Sequence, residues 1–415
     1  MSRFLVYTSP AAGHVLPLVP GLLELRRRGH EVHVRTLASL VPTLEELGIE
    51  ASSVDPRVTE IPITDHTATS DGERLRKGQT DLMARGAHDG PDLVDAVESF
   101  RPDAVLVDVN AYGAQTRAEA SGLPRALLLP SVLPLPGAGI PPYGMGLRPR
   151  RGLFGAVRDR LLWRVVERMF ARTMLPGLNA LRAEAGLPAY SSPLDSFRTP
   201  DAVIALTSLP LEYERTDLPP HVHLVGSEPW DPAAERPAYL DEPGDPWVLV
   251  TCSTDYQGDE RLARTAVEAL AGRPYRVLVT MADAFDGAEL PAAPNVRVER
   301  FVPHGLVLPE TAVVICHGGM GIVSKATAHG VPLVVVPFGR DQPEIARRAA
   351  EAGHGVALKA GRLEAERLRK AVVAAEGLRE QARAAAVQLR SHGGADRFAD
   401  AVLTLVRNGH DLEVS

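Results

Sequence analysis

Between Val313 and Glu344 the chain reads VVICHGGMGIVSKATAHGVPLVVVPFGRDQPE. An apolar run ends at Cys316, and His317, Gly318, Gly319, Met320 and Gly321 lead into a helix-like segment. A helix N-terminus carries unpaired N–H groups and the positive end of the helix dipole, so it draws an anion. Glycines there let the backbone close around phosphate oxygens, and His317 adds a donor. The alternative is a glycine turn needed only for packing. The pattern is neither a Walker A loop nor a complete G-x-G-x-x-G, because Ser324 stands at the third glycine. After the next apolar run come Asp341 and Gln342, whose acceptors and donors suit vicinal hydroxyls of a sugar. Asp341 followed by Pro343 and Glu344 reads equally well as a helix capping box. Near the N-terminus, His14 sits at a strand-to-helix turn, where the dipole disfavours imidazolium and leaves a neutral ring able to accept a proton. Asp108 ends another apolar run, and its carboxylate could hold the Nδ1–H of such a histidine. Two side chains that merely cap their own helices are the alternative reading.

The elements that must position these residues follow one grammar. Phe4 to Thr8 reads as a buried strand, Leu16 to Arg28 as a helix capped by Gly29, and Glu31 to Thr36 as the next strand. The runs Pro102 to Asp108 and Arg125 to Pro130 repeat it, which implies a parallel sheet covered on both faces. Residues 222–246, dense in proline and acid, carry no sustained period and read as a linker. Beyond it, WVLVTCST, YRVLVTM, NVRVERFV, TAVVICHGG and PLVVVPFG are five strand-like runs of a second doubly wound domain. The segments Glu364 to Leu389 and Ala395 to Arg407 read as helices. The expected organisation is an α/β chain with domains at 1–221 and 247–392, and a terminal segment at 393–415.

With 415 residues the chain exceeds one ordinary core and fits two domains. A net charge of −7 gives no support for a nucleic-acid partner. Cys252 and Cys316 are the only cysteines, both at the ends of apolar runs, as buried free thiols in a reducing cytoplasm would be. The run after Met1 is too short for a signal peptide, and Pro130, Pro134, Pro136, Pro141 and Pro142 break the longest charge-free stretch, so no membrane span is expected.

The order of Gly13-His14, Asp108, RFVPHGLVLP, HGGMG and DQ resembles the nucleotide-sugar-dependent glycosyltransferases of the GT-B type, in particular their macrolide and natural-product branch. The resemblance implies two Rossmann-like domains facing across a cleft. The second would bind a nucleoside diphosphate sugar and the first a hydrophobic acceptor, with inverting transfer and no metal or other cofactor. It also implies a last helix that crosses back to the first domain. Under it, His14 is the general base and Asp108 its partner. Thr254 lies near the phosphates, Phe301 takes the place of a base-stacking tryptophan, and His304 that of a glutamine. His317, Gly318, Gly319, Met320 and Gly321 form the diphosphate loop, while Asp341 and Gln342 hold the sugar. Two further departures matter: Ile322 replaces a threonine, and Lys325 replaces the glutamate that grips the ribose hydroxyls. An ammonium only donates, so this loss costs a thymidine donor, which lacks the 2′-hydroxyl, less than a uridine donor. For the acceptor, the proline- and glycine-rich stretch before LLWRVVERMF offers irregular apolar surface, although an ordinary packed helix explains Trp163, Val166 and Phe170 equally well. A nucleotide-sugar-binding protein without catalysis and an NAD-dependent enzyme are the alternatives.

Overall fold

The computed structural model describes residues 1–254, 257–286 and 289–413, with side chains of the last helix as far as 406; the final two residues of the 393–415 segment lie outside it. Short runs, all but β3 containing Val, Leu or Ile, form β1 (Arg3–Tyr7), β2 (Glu31–Thr36), β3 (Glu50–Ser53), β4 (Ala104–Asp108), β5 (Arg125–Leu129), β6 (Ala202–Ala205) and β7 (Val222–Leu224). They pair in parallel in the order β3-β2-β1-β4-β5-β6-β7. Every residue of β4 is buried, as helices on both faces of a parallel sheet require.

The second sheet comprises β8 (Trp247–Thr251), β9 (Arg276–Thr280), β10 (Val296–Glu299), β11 (Thr311–Cys316), β12 (Leu333–Val335) and β13 (Gly355–Ala357). Its order is β10-β9-β8-β11-β12-β13, again all parallel. In such sheets the loops leaving the strands part company where the order reverses, which opens a crevice. That point falls between β1 and β4 in the first sheet, and between β8 and β11 in the second.

Local chemistry explains where elements differ from expectation. The stretch from Leu16 to Arg28 is not one helix: helical turns at Ala12–Val15 and Leu16–Leu18 precede Val19–Arg27, and the breaks admit Pro17 and Pro20 at early positions that need no N–H donor. Glu364 to Leu389 divides into Ala365–Glu376 and Arg379–Arg390 around Gly377. Val222–Leu224 belongs to the first sheet, so the connecting segment proper begins after Leu224; three residues are too few to show a period.

The last helix, Ala395–Glu413, packs on the first sheet through Phe398, Val402 and Leu405. Gly21 allows this approach, since a Cβ there would lie 2.3 Å from the Phe398 ring. Arg28 then pairs with Asp400 at 2.6 Å and Asp396 at 3.1 Å.

Candidate active site

The first sheet's switch point holds His14 and Asp108. His14 leaves the loop after β1 in the short turn Ala12–Val15, and Asp108 is the last residue of β4. The carboxylate is fully buried, and its Oδ2 lies 2.7 Å from His14 Nδ1. Its Oδ1 accepts the Asn110 N–H at 2.9 Å, which fixes its orientation. A carboxylate at this distance places the ring proton on Nδ1, which makes Nε2 the accepting nitrogen. His14 lines the cleft, with Nε2 3.4 Å from the Asn110 side-chain amide. The two side chains thus engage each other, which is more than two separate caps would do.

The second sheet's switch point holds the glycine loop, and each glycine answers a different demand. Gly318 has φ +101, a left-handed conformation, and a Cβ there would meet Val335 at 2.9 Å. Gly319 lies over the His317 ring, whose Nε2 stands 2.5 Å from where its Cβ would be. Gly321 has open space in that direction, and with Gly319 it lines the cleft. Gly319 is also the N-cap of Met320–Ala328, and no side chain caps that helix. Its first N–H groups therefore remain for an incoming acceptor. Met320 also lines the cleft, its side chain largely buried in the core of the second sheet. His317 is buried too, with Nδ1 3.8 Å from Asp259 Oδ2; burial lowers its pKa and keeps the ring neutral, against the opposing charge of Asp259.

The remaining expected residues fall along the same cleft, which encloses about 1590 Å³ between the domains. Thr254 follows β8 and is exposed there. Phe301 is 56% exposed, an aromatic face left uncovered. His304 Nε2 lies 3.1 Å from Thr280 Oγ1, and burial pushes its pKa down to about 4, helped by the charge of Lys325 and opposed by Asp231. Asp341 is the N-cap residue of Gln342–Glu351, yet its side chain makes no cap bond. Its carboxylate instead accepts the Ser131 hydroxyl from the first domain, while Glu344 accepts the Gly146 N–H at 2.7 Å. No capping box forms. The Gln342 side chain is buried and occupied: Oε1 accepts the Phe338 and Gly339 N–H groups at 2.7 and 3.2 Å, and Nε2 donates to Gln257 at 2.8 Å.

The family model for the C-terminal domain of erythromycin biosynthesis protein CIII-like proteins matches residues 270–404. The 4′-demethylrebeccamycin synthase of Lentzea aerocolonigenes is 33% identical over 384 residues, covering 89% of this chain and 91% of that protein. The demethyllactenocin mycarosyltransferase of Streptomyces fradiae is 28% identical, covering 89% and 78%. The chain belongs to the natural-product glycosyltransferases of the GT-B type. In fold it is similar to the crystal structure of the glycotransferase of kitacinnamycin, at a TM-score of 0.74 and 24% identity over 97% of this chain and 99% of that one.

Three features of this glycosyltransferase escape a reading of its sequence. Lys325 is held in the cleft: its Nζ donates to Asp231 Oδ1 at 2.5 Å, while Asp231 Oδ2 accepts the Gly305 N–H at 3.0 Å. Asp231 lies in the aperiodic connecting segment, where nothing in the sequence marks its destination. Asn110 contacts His14 two residues beyond Asp108, a proximity that chain order could have suggested. The domains are also tied beside the cleft, through Arg340 to Asp65 at 2.8 Å and Arg74 to the Phe338 carbonyl. On the first-domain side, Leu75, Leu82, Trp163, Val166, Phe170 and Met174 give the cleft apolar walls. The Trp163 indole donates to the Ile140 carbonyl at 3.1 Å and so ties the helix Leu153–Glu184 to the proline-rich loop.

Proposed function

We propose that this glycosyltransferase transfers a sugar from a thymidine diphosphate donor to a hydroxyl of a hydrophobic natural product such as a macrocycle or polyketide, with inversion and without a metal. One observation carries the reading: the His14–Asp108 pair and the uncapped helix start at Gly319 line one cleft from opposite sheets. The acceptor hydroxyl gives its proton to His14 Nε2 as its oxygen bonds to the anomeric carbon. The bond from that carbon to the diphosphate breaks on the opposite face, and the electron pair leaves with the phosphate oxygen. Asp108 stabilises the imidazolium that forms. The N–H groups of the glycine loop and the dipole behind them meet the charge growing on the diphosphate.

Thr254 joins the phosphates in this reading, Phe301 stacks on the base, His304 lies beside it, and Asp341 contacts the sugar. Gln342 supports the loop that carries Asp341. The thymidine preference rests on Lys325 and Asp231. The ammonium cannot accept, and the Asp231 carboxylate is held by Lys325 and the Gly305 N–H, so position 325 offers a ribose 2′-hydroxyl no carboxylate of its own. The apolar walls near Trp163 and Phe170 support a hydrophobic acceptor. The test is a screen of nucleoside diphosphate sugars against hydroxylated natural products, read by mass spectrometry. A mass gain of one sugar from thymidine donors is the expected result. Nucleotide binding with neither transfer nor donor hydrolysis would overturn the catalytic reading.

A further inference from the structure

The helix Leu153–Glu184 has two apolar faces, and the cleft uses only one. Val166, Phe170 and Met174 look inward. Outward stand Phe154, Val157, Leu161 and Val165, a ridge at spacings of three and four residues. Phe154 is 95% exposed and the neighbouring Leu153 85%, so the start of the ridge projects from the domain.

A second ridge runs beside the first: Arg160, Arg164, Arg168 and Arg172, all exposed and four residues apart. Among the described residues none of the four makes an ion pair. The two carboxylates of this stretch are engaged elsewhere, Asp159 with Arg158 at 2.7 Å and Glu167 with Ser192 at 2.6 Å. Residues 148–172 hold eight arginines against those two acids, in a chain whose net charge is −7.

We propose that this outer face seats on an anionic lipid surface. An apolar ridge flanked by unpaired arginines suits a helix that lies in the headgroup plane: the ridge enters the acyl boundary, the arginine stems extend along it, and the guanidinium groups bond lipid phosphates. Among the described residues no helix is long and apolar enough to cross a membrane, so the helix lies on the surface. Lipid is favoured over a partner protein because the ridge projects. A protein would need a groove of matching shape, whereas acyl chains fill around isolated side chains. The same helix walls the cleft, so an acceptor dissolved in the lipid would reach the site across one helix.

Co-sedimentation of the full chain with phosphatidylcholine vesicles, with and without phosphatidylglycerol, tests this. Binding is expected only to the anionic vesicles, weakening as salt rises. Arg160→Glu with Arg164→Glu and Arg168→Glu should reduce it about tenfold or more, and so should Phe154→Ser with Leu161→Ser and Val165→Ser. These substitutions lie on an exposed face, and circular dichroism checks that both variants fold. Equal partition to the two vesicle types, or binding that survives in both variants, would overturn the proposal. So would absence of vesicle binding alongside a concentration-dependent dimer that the same variants abolish, which would assign the face to a second copy of the chain.

Discussion

Altering the charges at Lys325 and Asp231 probes the donor side of the account. The ammonium and carboxylate stand 2.5 Å apart with side chains 15% and 17% exposed, so the pair is neither a surface contact nor a dry one. A coupling of about 1–3 kcal/mol follows from those two limits. Lys325→Glu alone forfeits that coupling and sets two carboxylates side by side, a repulsion of up to about 4 kcal/mol at an effective dielectric near 20. Pairing it with Asp231→Asn removes the repulsion and leaves the new glutamate free to accept a 2′-hydroxyl. A hydrogen bond to a charged acceptor contributes roughly 1.5–3 kcal/mol, so the double variant should shift the TDP-to-UDP affinity ratio toward UDP by about 10- to 100-fold. Calorimetric titration of both nucleotides into wild type, single and double variants measures the ratio directly. Thermal midpoints should fall most in Lys325→Glu alone and recover in the pair. Equal TDP and UDP affinities in the wild type, unmoved by either variant, would refute the argument that Lys325 and Asp231 set the nucleotide.

Phe301→Ala should weaken nucleotide binding by about 1–3 kcal/mol, the scale of a lost base–aromatic stack, and an unchanged TDP titration would remove Phe301 from the site. Gly318→Ala should cost about 2–4 kcal/mol in denaturant stability, since φ +101 and a Val335 methyl 2.9 Å from the new Cβ both oppose it; an unshifted midpoint would count against the described loop. His304 and His354 are both pushed down to about 4 by burial. The unfolded chain therefore takes up these protons first, and stability that is full above pH 6.5 should fall as pH drops toward 4, by on the order of 1–3 kcal/mol per histidine. Denaturant midpoints across that window check it, and a flat profile in both wild type and His304→Gln would contradict the assigned burial.

The strands that carry the site were legible because parallel strands buried on both faces are continuous apolar runs, and His14, Asp108 and the glycine loop stand at their ends. The rest depended on contacts that local pattern does not encode. Asp231 reaches Lys325 only because the connecting segment folds along the cleft. Asp341 can be seen to bond Ser131 only once the two sheets face each other, and sequence alone left its capping role open. Gln342 carries the right groups for a sugar, but the backbone of Phe338 and Gly339 takes its amide oxygen first. β13 and β7 are three residues each, below the length at which a period can be read.

Transfer by His14→Ala, measured beside its TDP affinity, tests the central claim most directly. His14 and Asp108 stand at the switch point of the first sheet and the glycine loop at that of the second, so TDP should bind within about twofold of wild type while sugar transfer to an alcohol acceptor falls by about 10²- to 10⁴-fold, the usual contribution of a general base. Transfer at the wild-type rate would show that the His14–Asp108 pair does not take the acceptor's proton.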